Sequence, residues 1–375
     1  MFSQSLEDYD SSQPNNAAKV VKNIISKYDS SQEVLAPSED IKQARYITLE
    51  EQKEFVEFLD VYDIRSDKLA WCASDCKSFH CSNNPNHSTK TNYMLCGERG
   101  LCPRCSMAYA TSKANETYQS VKRNFADRVD FDLKMNQIVL TLPKELHEID
   151  KKVFSKMIKQ FLIKFGISCY GYVIQTRSSS NPLGNSYHHV HIISLNVKVE
   201  NNRIVQSDYF FDTDDMRKEW KKIIEGNTDI SIEGNVNLQT GYASVNREKG
   251  RCIHLLKYVY RFSLEDLFKV QVRNHSINYV QKSHFNEVKE SIENLIDEKK
   301  PKFVWCGLMA PTKHKELMKM ISEIGYEWQS LKQIKTDLMI KANTCRDCGC
   351  QFEEKPFHVF KYTGDNEPIK PVYPT

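Results

Sequence analysis

The sequence predicts an α+β protein built on an antiparallel sheet, with cysteine-rich metal-binding regions outside that sheet. Three observations carry the expectation. Strand-like and helix-like segments follow one another in the order β-α-β-β-α-β between residues 135 and 263. Nine of the 12 cysteines fall in two short clusters, one before and one after this run. A chain of 375 residues that is 40% apolar and 27% charged can bury a core, which excludes wholesale disorder.

The elements follow in order. Residues 1–38 are rich in Ser, Gln, Asn and Asp and read as an acidic disordered tail with one helical turn around Val20–Ile25. The segment TLEEQKEFVEFLD (48–60) starts a helix with a capping box, Thr48 and Glu51, and puts Phe55, Phe58 and Leu59 on one side. Residues 71–105 hold six cysteines, with His80 and His87, and little apolar periodicity, so metal replaces the missing core. A helix follows, carrying Lys113, Lys122 and Arg123. Then come a strand (135–143), a helix with Val153, Met157, Phe161 and Phe165 at helical spacing (150–166), and strands at 169–178 and 187–199. NNRIVQSDYF reads as a hairpin return, and an acidic N-cap opens the next helix in DTDDMRKEWKKIIEG. A strand at Asn235–Val245 and a helix at 248–263 complete the run, for which a ferredoxin-like sheet is the simplest arrangement. Residues 276–340 add helices and one strand, Lys302–Cys306. The expected division is a tail (1–38), a helical and zinc-binding region (39–125), a core (126–275) and a C-terminal helical region with a second zinc site (276–375).

The net charge of +3 hides an asymmetry, because residues 1–70 carry −6 and residues 71–375 carry +9. A basic body suits a nucleic-acid partner without requiring one. No run reaches the roughly 20 apolar residues of a membrane span, and MFSQSLEDYD lacks the layout of a signal peptide, so an intracellular, cytoplasmic protein without a membrane partner is expected.

Three constellations bear chemistry. Cys96-Gly-Glu-Arg-Gly-Leu-Cys102-Pro-Arg-Cys105 contains a two-residue knuckle whose thiolates reach one tetrahedral zinc; Cys72, Cys76 or Cys81 would supply the fourth ligand, with His80 and His87 as substitutes and a second ion allowed. At the other end Cys345, Cys348, Cys350 and His358 form a second zinc candidate, with Cys306 as an outside ligand. His189 and His191 sit two apart in a strand, so both imidazoles face one side and suit a divalent cation or, alternatively, a polar outer face; His188 faces the other way. Finally, His254 and Tyr258 lie four apart on a helix with Arg261 a turn further, while Tyr260 is about 200° round from Tyr258.

Cysteine knuckle, strand Ile138–Leu142, His-Val-His strand and a helix with Lys257-Tyr258, taken in order over residues 70–265, resemble the HUH endonucleases. In particular they resemble the rolling-circle replication initiators of plasmids and viruses that carry a cysteine-rich stretch. The resemblance implies an RRM-like nuclease core in which His189 and His191 hold Mg²⁺ or Mn²⁺. Gln175 takes the place of an acidic third ligand and Tyr258 is the nucleophile. His254 stands where the plasmid group has a Glu, and the spacing between the first two cysteines of the motif is one residue longer than in that group. Lys257 assists the tyrosine, and Arg261 and Arg177 are DNA contacts. The implied reaction is nicking and rejoining of single-stranded DNA, at an origin or hairpin, through a 5′-phosphotyrosine, with a host polymerase and helicase as partners. A single-strand transposase or a conjugative relaxase is the rival within the superfamily; the absence of a helicase P-loop motif argues against a large multifunctional relaxase or a helicase-fused viral initiator and leaves the transposase open. A zinc-finger DNA-binding regulator without catalysis is the rival outside it, and an RNA-binding sheet is a weaker one.

Overall fold

The structure, a computed structural model, describes residues 47–354 apart from 74–75, 85, 88–89, 179–180, 185–186, 202, 208–211, 274–284, 298–302, 308, 311–318, 320–321, 324 and 326. The expected tail with its turn at Val20–Ile25, the Cys76 side chain and His358 lie outside the described residues. The chain forms two compact units. One combines the residues up to Glu98 with those from Asn343 onward, and the other is Arg99–Ala342. Among the described residues no helix is long and apolar enough to cross a membrane.

In the first unit, α1 (Leu49–Val61) starts at the predicted capping box: the Glu51 N–H donates to Thr48 Oγ1 (3.0 Å) and the Thr48 N–H to Glu51 Oε2 (2.7 Å). Phe55, Phe58 and Leu59 are buried, so the helix is held by one apolar face. A short α2 (Asp67–Ala70) follows, and Gln52 Nε2 donates to the Leu69 carbonyl. Replacing Thr48 with Ala removes the cap and is expected to cost about 1 kcal/mol in urea unfolding of this unit. The hairpin β1 (Cys76–Cys81) and β2 (Lys90–Tyr93) then gains a third strand from the far end of the chain, because β10 (Phe352–Glu354) pairs antiparallel with β1, Cys81 opposite Phe352.

The second unit is α+β with an antiparallel sheet, as the sequence predicts. It opens with α3 (Pro103–Val121), where Pro103 fits the first turn because that turn needs no N–H, and closes that helix in a wide π-turn at Lys122–Ala126. The sheet contains β3 (Lys134–Thr141), β4 (Cys169–Gln175), β5 (His189–Leu195), β8 (Leu238–Ser244) and β9 (Val304–Gly307) in the order β8-β3-β5-β4-β9, every neighbouring pair antiparallel. The run predicted as one strand at 187–199 is two. Asn196 breaks it by pairing its N–H and its Oδ1 with the backbone of Lys134 (3.2 and 2.6 Å), which sends the chain out into the hairpin β6 (Val197–Glu200) and β7 (Arg203–Gln206). The strand predicted at Lys302–Cys306 is β9. It lies so close to β4 that a side chain on Gly171 would strike the Phe303 ring.

Helices cover both faces. The helices α4 (Lys151–Lys164) and α5 (Thr213–Asn227), N-capped by Asp150 and Asp212, pack Phe154, Phe161, Trp220 and Ile224 against Ile138, Leu140, Val190 and Ile192. On the other face, α3 and α6 (Lys249–Tyr260) pack Ala114, Tyr118, Leu256 and Val259 against Met135, Ile193 and Leu195. With helices on both sides, all seven residues of β5 are buried. Trp220 fills the first core fully buried and donates its indole N–H to the Thr141 carbonyl at 2.8 Å. Trp220→Ala is therefore expected to cost about 3–5 kcal/mol, read as a lowered urea midpoint with native slope.

Candidate functional site

The alternation of β5 sends Val190 and Ile192 into one core and His189 and His191 to the face that α6 covers. Both histidines are buried, at 7% and 9% exposure, so they are not a polar outer face. Burial pushes the pKa of each imidazole below its ordinary value, His191 further than His189, with the Arg261 charge adding to the effect. Neutral imidazole is the form that binds a cation.

The tautomer of His189 follows from its neighbours. Its Nδ1 lies 3.0 Å from the Tyr187 carbonyl, which only accepts, so Nδ1 carries the proton and Nε2 keeps a lone pair. That lone pair faces Gln175 Oε1 at 3.1 Å, while the Gln175 amide donates to the Tyr258 carbonyl at 2.9 Å. Two acceptors converge, an arrangement that a cation or a shared proton satisfies. Imidazole nitrogen and amide oxygen are each groups that can ligate a divalent ion, and here they would bring no ligand charge to strengthen it. Gln137 approaches His191 Nδ1 at 3.3 Å, and an amide serves either tautomer by turning over.

From α6, Tyr258 lays its ring almost parallel to His191, with centroids 6.1 Å apart and planes at 16°. His254 meets the Tyr258 ring edge-on at 5.2 Å, and the Arg261 guanidinium lies over that ring at 5.3 Å. Arg261 is largely covered, its side chain 13% exposed, and is ion-paired with Asp266 of α7 (Ser263–Phe268), the partner that makes this covering tolerable. Tyr260 points elsewhere. Its hydroxyl bonds Thr117 at 2.6 Å, burial pushes its pKa up, and its ring packs on Phe303. Lys257 is half-buried, about 100° round the helix from Tyr258. Arg177 ties down its own loop by donating to the Gly184 carbonyl at 2.8 Å, and His188 lies against Phe154 on the opposite side. Gln137, Tyr187 and Asp266 join the site without a motif to announce them.

Seven of the described cysteines, with His87, sort into two groups, in each of which the ligand atoms lie within 4.8 Å of one another and can hold a metal ion such as structural zinc. These are Cys72, Cys96, Cys102 and Cys105, and separately Cys81, His87, Cys345 and Cys348. Cys81 thus belongs with the C-terminal knuckle, its Sγ 3.3 Å from that of Cys348. His87 replaces the expected Cys350, which instead accepts the Cys345 N–H through its carbonyl at 2.7 Å. Gly349, at φ +76°, makes the turn after Cys348 that a side chain would oppose. Cys306 lies in β9, outside both groups.

Comparison with protein-family models, with curated proteins and with solved structures finds no match.

Proposed function

We propose that this chain nicks and rejoins single-stranded DNA through a tyrosine of the HUH type and serves as an initiator of rolling-circle replication. The observation that carries the reading is the Tyr258 ring stacked on His191, beside His189 and Gln175, with Tyr260 engaged elsewhere. The strand order supports it too. Leaving aside β9, the β-α-β-β-α-β run is arranged fourth-first-third-second, the order of a ferredoxin-like or RRM-like sheet.

On this reading His189, His191 and Gln175 hold Mg²⁺ or Mn²⁺, which when bound offsets negative charge on the phosphoryl oxygens. Tyr258 Oη attacks phosphorus, its proton passing to His254. A bond from Oη to phosphorus forms as the bond from phosphorus to the 3′-oxygen breaks, the leaving 3′-oxygen takes a proton from solvent water to become a hydroxyl while His254 returns its proton to solvent, and the 5′-phosphate stays on the tyrosine. Arg261, fixed by Asp266, favours the phenolate by its charge. The reverse step rejoins the ends without an energy source. A single-strand transposase would use the same chemistry, and the partners expected are an origin hairpin, a host polymerase and a helicase.

The test mixes the protein with Mn²⁺ and end-labelled single-stranded oligonucleotides from its own replicon. A label that stays on the protein band through denaturing electrophoresis is the expected result. Salt-sensitive binding with no covalent band would favour a DNA-binding regulator, a reading that the uncharged Gln175 and the burial of both histidines also suit.

A further inference from the structure

Tyr242 is 57% exposed on β8, a strand that pairs with β3 alone among the described residues. β-propensity accounts for a tyrosine in a strand but not for what surrounds this one. Two cations share its ring, Lys134 Nζ at 5.7 Å from the centroid and the Arg251 guanidinium at 5.6 Å. Both are exposed, and Arg247 is exposed in the turn between β8 and α6. Two like charges on one ring repel each other. Arg251 is offset by Glu248 at 3.2 Å, whereas Lys134 makes no ion pair among the described residues.

Arg251 also connects this patch to the candidate site. On α6, residues 251, 254 and 258 fall within an arc of about 60°, and Arg251 precedes Tyr258 by seven residues, about 10 Å of helix rise. One helix stripe therefore runs Arg251, His254, Tyr258, with Arg261 just beyond its end.

We infer that Tyr242, Lys134 and Arg251 form a binding platform for single-stranded DNA, a base stacking on the Tyr242 ring and flanking phosphates meeting the two cations. An exposed aromatic face flanked by mobile positive charge is the combination that holds a single strand regardless of sequence. The choice of DNA rests on the nickase reading above; by register Tyr242 lies on the sheet face of Ile138 and Leu140, opposite His189 and His191, and Arg251 of α6 reaches it at the β8 edge.

The experiment titrates fluorescein-labelled oligo(dT) with the full chain and reads anisotropy, with Tyr242→Ala, Tyr242→Phe and Arg251→Ala alongside. Stacking on an aromatic is worth about 1–3 kcal/mol per base, so Tyr242→Ala should weaken binding roughly 5- to 150-fold and Tyr242→Phe should restore it. Arg251→Ala should lower the slope of log affinity against log salt by about 0.7, the loss of one phosphate contact. All three side chains are exposed, so circular dichroism melting should match the parent. Affinity unchanged in Tyr242→Ala would overturn the platform, as would tighter binding of oligo(rU) than oligo(dT). The covalent assay keeps the two readings apart. An adduct at Tyr258 with Tyr242-independent binding removes the platform and leaves the nickase, while Tyr242-dependent binding without an adduct does the opposite.

Discussion

Tyr258→Phe is expected to abolish the covalent protein–DNA band while leaving affinity for single-stranded DNA and thermal stability close to the parent. The substitution removes one oxygen and keeps the ring that stacks on His191 and sits under Arg261. What goes is the oxygen that attacks phosphorus in the proposed mechanism, and losing a nucleophile lowers such reactions by roughly three orders of magnitude or more. Tyr260→Phe should behave in the opposite way. Its hydroxyl is buried against Thr117, so the change leaves a buried Thr oxygen without that partner and should cost about 1–3 kcal/mol, seen as a lower melting temperature with the adduct intact. If the adduct survives Tyr258→Phe and is lost in Tyr260→Phe, the assignment of the nucleophile is wrong; if it survives both, the tyrosine mechanism is.

How much of this was legible beforehand depends on how far apart the interacting residues lie. The helix phase that separates Tyr258 from Tyr260 is a local property, and the structure places the two rings in different surroundings, one beside His191 and the other on Phe303. The His-Val-His alternation is equally local. Its burial was not legible, because covering β5 on both faces depends on α3, which lies some seventy residues earlier and has no pattern marking it as the helix that packs on α6. The break at Asn196 escaped for a related reason. Only the approach of Lys134 gives that side chain its backbone partners, and a polar residue within an apolar run otherwise reads as an outward-facing strand position. The cysteines show the limit most clearly. Spacing identified Cys102 and Cys105 as a knuckle, and likewise Cys345 and Cys348, but it could not assign Cys81. That residue is nearer in sequence to the first knuckle and in space belongs with the second.

That regrouping sets the second large effect. The chain should hold two zinc ions by native mass spectrometry, and Cys348→Ser should hold one, with the segment Asn343–Glu354 becoming protease-sensitive. The sheet around this group has strands of six, four and three residues, two of them below the usual length of about five or six, and its buried positions include the ligands Cys81 and Cys345 with few apolar side chains beside them. Burial and the neighbouring Cys348 and Cys345 thiols raise the pKa of Cys81, so without a cation that thiol favours its protonated form. A zinc ion reverses this by binding thiolates, and structural sites of this class supply on the order of 10 kcal/mol of apparent binding free energy at neutral pH. Chelation should therefore detach β10 from β1, and zinc should restore the pairing. Retention of two ions by Cys348→Ser, or a C-terminal segment as protease-resistant after chelation as before, would show that the strand pairing stands without the metal. Cys350→Ser makes the internal comparison: its neighbour in the knuckle is a ligand, but its own role is the carbonyl that accepts the Cys345 N–H, which serine keeps, so both ions should remain.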